Sequence, residues 1–293
     1  MLKDKYMDKA KKLILKIEWL DAKGENNEFK ENIFRIVSTA VRENKPLNFV
    51  CFTCSTINPP HMFGNQPWNY VRSDPKGNNL SQDISQLENI MRELRACYSN
   101  VQLKIIIGNT DPYYIYLEQF KDYPGREQLM WIKFIEQWEK YQKGFSAWLE
   151  NTAPSLKVEV ISWFHFERSL EKRMGRIFEK EFNEFRKNLG DYFNEDQLAW
   201  ELRKLKTQFK AGAYFDGLRK PDDKVLKSWV SRKFSEYAIQ ALWIYENIDN
   251  AILIQNEKPS DLRSQMYQPA IRNKYNDSLP IVYFLGVDNV GYQ

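Results

Sequence analysis

Five short runs, Leu47–Cys54, Leu103–Ile107, Leu156–Ile161, Asn250–Gln255 and Leu279–Leu285, interrupt a chain whose hydrophobic periodicity is otherwise helical. Apart from Leu156–Ile161, which alternates, they are near-continuously apolar, the pattern of strands buried on both faces. The stretches between them repeat every three or four residues. In Asn78–Ala96, for instance, Leu80, Ile84, Leu87, Ile90, Met91 and Leu94 form one apolar stripe. A helical leader runs to about Arg42, an aromatic-rich helical stretch covers Gln128–Asn151, and Ser260–Tyr267 reads as a short helix. Phe164–Asn247 is helical with one break near Gly212–Pro221. Strands alternating with helices predict an α/β domain: a mostly parallel sheet with helices on both faces and a helical insertion over 164–248. No repeat, low-complexity run or Pro/Gly-rich linker divides residues 1–293, so a single domain is expected.

The composition suits such a core. At 293 residues, roughly three quarters of the unfolded surface can be buried without disulfide or metal staples. With 28% charged and 15% aromatic residues the chain is neither disordered nor fibrous. No apolar run approaches the roughly 18 residues of a membrane span, and Met1–Leu20 alternates Lys with apolar residues rather than forming a signal sequence. An odd count of 3 Cys points to a reducing compartment, so a soluble cytoplasmic protein is expected.

Several chemistries find no support. The only histidines are His61 and His165, and no His-Glu-x-x-His or second Cys-x-x-Cys accompanies Cys51 and Cys54. Those two lie on a predicted strand, where residues three apart point to opposite faces, so they are expected to be packing residues and no metal is expected. Phosphate-loop, dinucleotide and nucleophile-elbow patterns are absent. No cofactor is expected.

In an open parallel sheet, ligands bind beyond the carboxyl ends of the strands. The most unusual segment there is Ser55-Thr-Ile-Asn58-Pro-Pro-His61, a proline-stiffened polar loop directly after the first strand. Ser55 or Thr56 could cap a helix in a plain connection. Equally, Ser55 could be a nucleophile with Asn58 beside it. Asp111, after the second strand, is either an ordinary turn residue before Pro112 or an anchor for a cationic group.

Three patches of the chain resemble a known family. Thr53-Cys-Ser55-x-x-Asn58 follows the first strand, Tyr237-Ala-Ile-Gln240-Ala241 lies on the helix before the fourth, and Tyr267 comes later. This order resembles the tRNA-dependent cyclodipeptide synthases, and Pro67–Val71, Gly77–Leu80, Ile107–Pro112 and Gln255–Pro259 look most like their arginine-containing branch. The resemblance implies a Rossmann-like domain similar to that of class I aminoacyl-tRNA synthetases. It also implies aminoacyl-tRNA substrates, arginyl-tRNA among them, and no ATP, because the ester is already activated. Ser55 would be the nucleophile, Asn58 would position substrate, Tyr237 would hold the amine, and Tyr267 would serve cyclisation to a diketopiperazine. Two positions depart from the family pattern: Thr53 stands for its Gly, and Ala241 for its Glu. Gln240 and Glu246 are the polar residues near Ala241 on that helix. Glu257, just past the fourth strand, is the acid expected to bind an amine or guanidinium group. Tyr237 also sits on the apolar helix face of Phe234, Ala241 and Ile244, so a core residue fits equally. Two other readings remain: an isocyanide synthase acting on a free amino acid, and a non-catalytic tRNA-binding protein of synthetase-like fold.

The charge is uneven. Phe164–Phe234 holds 17 Lys/Arg against 12 Asp/Glu, more than the +4 of the whole chain. Arg168, Lys172, Arg173, Arg176 and Lys180 recur at helical spacing, and Arg203, Lys204, Lys206 and Lys210 form a second set. Such a stripe suits tRNA phosphates. The interleaved Glu167, Glu171, Glu179 and Glu181 also suit a solvated, ion-paired helix.

Overall fold

The computed structural model describes residues 2–20, 27–53, 80–107, most of 143–162, most of 184–210, 222–255 and 267–283. Helices α1 (Leu2–Leu20) and α2 (Asn27–Glu43) precede β1 (Leu47–Thr53), and α3 (Leu80–Cys97) leads into β2 (Val101–Ile107). A 3-10 turn, Pro154–Leu156, opens β3 (Val158–Ser162). Then α4 (Leu189–Tyr192), α5 (Glu195–Lys210) and α6 (Asp223–Asn247) lead to β4 (Ala251–Gln255), and α7 (Pro269–Tyr275) to β5 (Ile281–Tyr283).

The five strands form one parallel sheet in the order β3-β2-β1-β4-β5, an α/β Rossmann-like fold. Consecutive residues Leu47, Asn48, Phe49 and Val50 of β1 are all buried, as are Ala251 to Ile254 of β4. Because neighbours on a strand face opposite sides, both faces of the sheet are covered. α1 packs on α2 and α3, while α6 packs on α5 and α7. The chain moves one way from β1 to β3 and the other way from β4 to β5. Right-handed crossovers then put α3 on one face and α6 and α7 on the other.

All five expected strands are present, with shifted ends. β3 begins at Val158 rather than Leu156, because Pro154 starts the 3-10 turn and Lys157 takes a positive φ of 46°. Asn250, also at positive φ, turns the chain into β4 instead of belonging to it. The helical leader is two helices. The expected break near Gly212–Pro221 lies outside the described residues, between the end of α5 at Lys210 and the start of α6 at Asp223. Residues 128–142 and 260–266 lie outside the described set, and Tyr267 is in a turn. The helix of this region is Pro269–Tyr275, with proline at its start, where the missing N–H costs nothing.

Local chemistry fixes the α5–α6 pair. Asn194 and Gln197 cap α5 reciprocally, each side chain accepting the other's backbone N–H at 2.9 Å. Asp222 accepts Val225 N at 2.9 Å to cap α6, and Lys206 of α5 pairs with Asp223 of α6 at 2.6 Å. At the amino edge of the sheet, Arg95 donates to the carbonyls of Val101, Ser155 and Lys157 at 3.0–3.2 Å, tying α3 to the starts of β2 and β3.

Candidate functional site

The strand order reverses direction at β1, which has β2 on one side and β4 on the other. Open α/β sheets bind ligands at such a switch point, outside the carboxyl ends. Cys51 pairs with Ile254, and Thr53 with Ile107, so β1, β2 and β4 end almost level. The segments bearing Ser55 and Asn58, Asp111, and Glu257 leave these three ends. Those four residues lie outside the described residues, as do Arg168, Lys172, Arg173, Arg176 and Lys180.

Tyr237 lies on α6 (Asp223–Asn247). The four steps from Ala251 to Gln255 rise about 13 Å at about 3.3 Å per residue. The antiparallel helix covers that height in about nine residues, and counting back from Asn247 arrives at about residue 238. At 25 residues α6 is therefore much longer than β4, and Tyr237 lies just past its midpoint. α6 is buried on nearly all sides at this height: Phe234, Ser235, Ala238, Ile239, Gln240, Ala241 and Leu242 are all inaccessible. Tyr237 is half-buried against this core.

The structure brings Tyr237 and Tyr267 together. Their rings meet edge to face, with centroids 5.6 Å apart and planes at 71°, an arrangement favoured by the ring quadrupoles. Tyr267 is almost fully buried. Its neighbour Gln268 exchanges two hydrogen bonds with the Leu279 backbone, donating Nε2 to the carbonyl at 2.9 Å and accepting the N–H at 3.1 Å. Gln268 thus pins the turn that carries Tyr267. A second tyrosine pair, Tyr245 with Tyr275 at 5.2 Å, lies eight residues further along both segments. α6 and α7 therefore run side by side in the same direction.

Glu246 is not in this group. Nine residues at about 100° each put it half a turn around α6 from Tyr237. There its carboxylate accepts from the Tyr275 hydroxyl at 2.6 Å and pairs with Lys274 at 2.8 Å. Gln240, only about 60° around the helix from Tyr237, is 3% exposed, and its Oε1 has no hydrogen-bond partner. Ala241 is fully buried in the core, so a carboxylate there would have to be desolvated.

Sequence reasoning did not find Gln268, because a polar residue before proline looks like any turn. It also did not find the cluster around Asp277. This carboxylate accepts from the Tyr245 hydroxyl at 2.7 Å, Arg35 Nη2 at 3.1 Å, Asn32 Nδ2 at 3.2 Å and Ser278 N at 2.8 Å. The cluster sits near the amino edge and joins α2 and α6 to the turn before β5, which gives it a structural role.

Cys51 is half-buried on β1, where desolvation pushes its thiol up to about 12, leaving it protonated at neutral pH. Cys54 lies outside the described residues. Among the described residues, no group of three or more His, Cys, Asp or Glu could hold a metal ion, and no helix is long and apolar enough to cross a membrane.

No family model, curated protein or solved structure matches this chain.

Proposed function

We propose that the chain is a tRNA-dependent aminoacyltransferase of the cyclodipeptide synthase type, working in the cytoplasm, with arginyl-tRNA as one substrate. The observation that supports this best is the Tyr237–Tyr267 contact. Two tyrosines thirty residues apart, to which the resemblance gives amine binding and cyclisation, meet edge to face.

In this reading the Ser55 hydroxyl attacks the ester carbonyl of the first aminoacyl-tRNA. An aminoacyl-serine ester forms, and the tRNA leaves with its terminal hydroxyl restored. The amine of a second aminoacyl-tRNA then attacks that ester. The resulting dipeptidyl ester closes through its own free amine, releasing the cyclic dipeptide and the second tRNA. None of these three steps needs a nucleotide cofactor or a redox partner, since each acyl group moves from an ester that is already activated. Asn58 positions the substrate, Tyr237 holds the amine, and Tyr267 assists ring closure. Glu257 supplies negative charge, Asp111 anchors a cationic side chain, and the Arg168–Lys180 stripe meets tRNA phosphates.

Intact-mass measurement after mixing with isotopically labelled arginyl-tRNA tests this reading. The expected result is a mass increase of one arginyl group, absent from Ser55→Ala, with unchanged folding and tRNA binding in the variant. An unmodified wild-type protein that still binds tRNA would instead assign a non-catalytic tRNA-binding role. Consumption of free amino acid without tRNA would assign isocyanide synthesis.

A further inference from the structure

We propose that the α5–α6 pair forms an RNA-binding surface, on which Lys224 and Lys227 meet the phosphate backbone. The inference deepens the aminoacyltransferase reading and rests on it for the identity of that RNA as tRNA. Three observations carry it. First, the positive charge is concentrated there. Residues 203–233 hold 10 Lys/Arg against 3 Asp/Glu, a net +7, whereas the whole chain carries +4. All other residues together are therefore net −3, and residues 164–202, with 7 Lys/Arg against 9 Asp/Glu, are slightly acidic. The surplus that attracts a polyanion comes from this one stretch.

Second, the fold gathers these charges. α5 packs on α6, and the Lys206–Asp223 ion pair sets the end of one helix against the start of the next. Arg203 stands three residues from Lys206, and Lys224 and Lys227 stand one and four residues from Asp223. All three lie within about one helical turn of that tie, and all are exposed. Third, two of the three acids are engaged within the pair itself. Asp222 accepts the Val225 N–H, and Asp223 holds Lys206. Lys224 and Lys227 have no acidic partner among the described residues.

The shape of the surface selects the partner. Cationic positions recur from Lys224 to Lys233, over about 14 Å of α6. A row of that length suits successive phosphates of a strand better than a single anion. A lipid surface would need apolar anchors beside the charges. Among the described residues from 203 to 227, no large hydrophobic side chain is exposed.

The test titrates the full chain with deacylated tRNA across a salt series. Lys224→Gln combined with Lys227→Gln removes two charges and leaves the Asp222 cap intact, so its melting temperature should match that of wild type. Lys11→Gln combined with Lys30→Gln removes the same charge from exposed positions on α1 and α2 and serves as the control. The α6 variant should flatten the slope of log affinity against log salt by about 0.7–0.9 for each of the two phosphates, and lose about tenfold or more in affinity near 0.1 M salt. The control should keep the wild-type slope. An α6 variant with the wild-type slope, or a control that loses as much, overturns this surface and leaves the aminoacyl reading standing. A wild-type protein that binds no tRNA even at low salt overturns both. Displacement of tRNA by phosphatidylserine vesicles or polyglutamate at equal anion concentration overturns the RNA assignment in favour of a membrane or an acidic protein.

Discussion

The Tyr245 hydroxyl donates to Asp277 Oδ2 at 2.7 Å, linking the last turns of α6 to the turn ahead of β5. Burial alone would raise the Asp277 pKa. The bond from Tyr245, the Ser278 N–H, Arg35 and Asn32 outweigh it and hold the carboxyl below its ordinary value. Tyr245, through burial first and then its bond to Asp277, is pushed up to about 12.

These opposite shifts predict two pH limits. Asp277 contributes stability above its unfolded pKa of about 4, and that contribution is lost as the pH falls through the lowered folded value. Tyr245 keeps its proton in the fold when the unfolded chain releases it, from about pH 10. Its contribution therefore declines as the pH rises from there towards its folded value of about 12. Melting temperature measured against pH should fall in both windows, and Tyr245→Phe should flatten the alkaline one. An unchanged alkaline slope in the Phe variant would remove Tyr245 as its origin.

Ring and hydroxyl at position 267 should separate. Tyr267→Ala empties a buried aromatic site and should cost about 3 kcal/mol in denaturant titration. Tyr267→Phe keeps the edge-to-face contact with Tyr237 and should cost about 1 kcal/mol or less. If the hydroxyl assists ring closure, the Phe variant should still form the acyl-enzyme and accumulate uncyclised dipeptide. Normal cyclic product from Tyr267→Phe would end that role.

Glu246 and Glu257 are predicted to differ. Glu246 is already engaged with Tyr275 and Lys274, half a turn from Tyr237. Glu246→Gln should therefore cost about 1 kcal/mol or less and leave single-turnover acyl transfer unchanged. Glu257→Gln should slow it. Loss of acylation in the Glu246 variant alone would reverse the assignment.

For tRNA, reversing Lys172, Arg173 and Arg176 to Glu should weaken binding and flatten the slope of log affinity against log salt, by about one for each phosphate contact removed. A slope equal to that of wild type would leave this stripe to solvent.

The sheet was legible because each strand is a short apolar run, and burial on both faces needs little else. Strand ends were less so: Leu156 is as apolar as a strand residue, but Pro154 and the positive φ of Lys157 keep it in a turn. α7 escaped notice because Tyr-Gln-Pro reads as a break, although proline also opens helices. At the site, periodicity could put Tyr237 on an apolar face but could not choose its partner. The contact with Tyr267 spans thirty residues of sequence. The distance between Glu246 and Tyr237 was legible, because helical phase alone separates them. The Asp277 cluster had no signal, since Asn32 and Asp277 are 245 residues apart.

The matched tyrosine pairs of α6 and α7 restrict how this segment of the chain can vary in length. Adding one residue between Tyr237 and Tyr245 would turn one of them by about 100° and move it about 1.5 Å along the axis, so a single pair at most could survive. The stretch between Tyr267 and Tyr275 is bound by the same arithmetic, because its eight-residue spacing mirrors the first. Single insertions and deletions in either stretch should be selected against, and a tolerated one should come with a compensating change of equal length in the other.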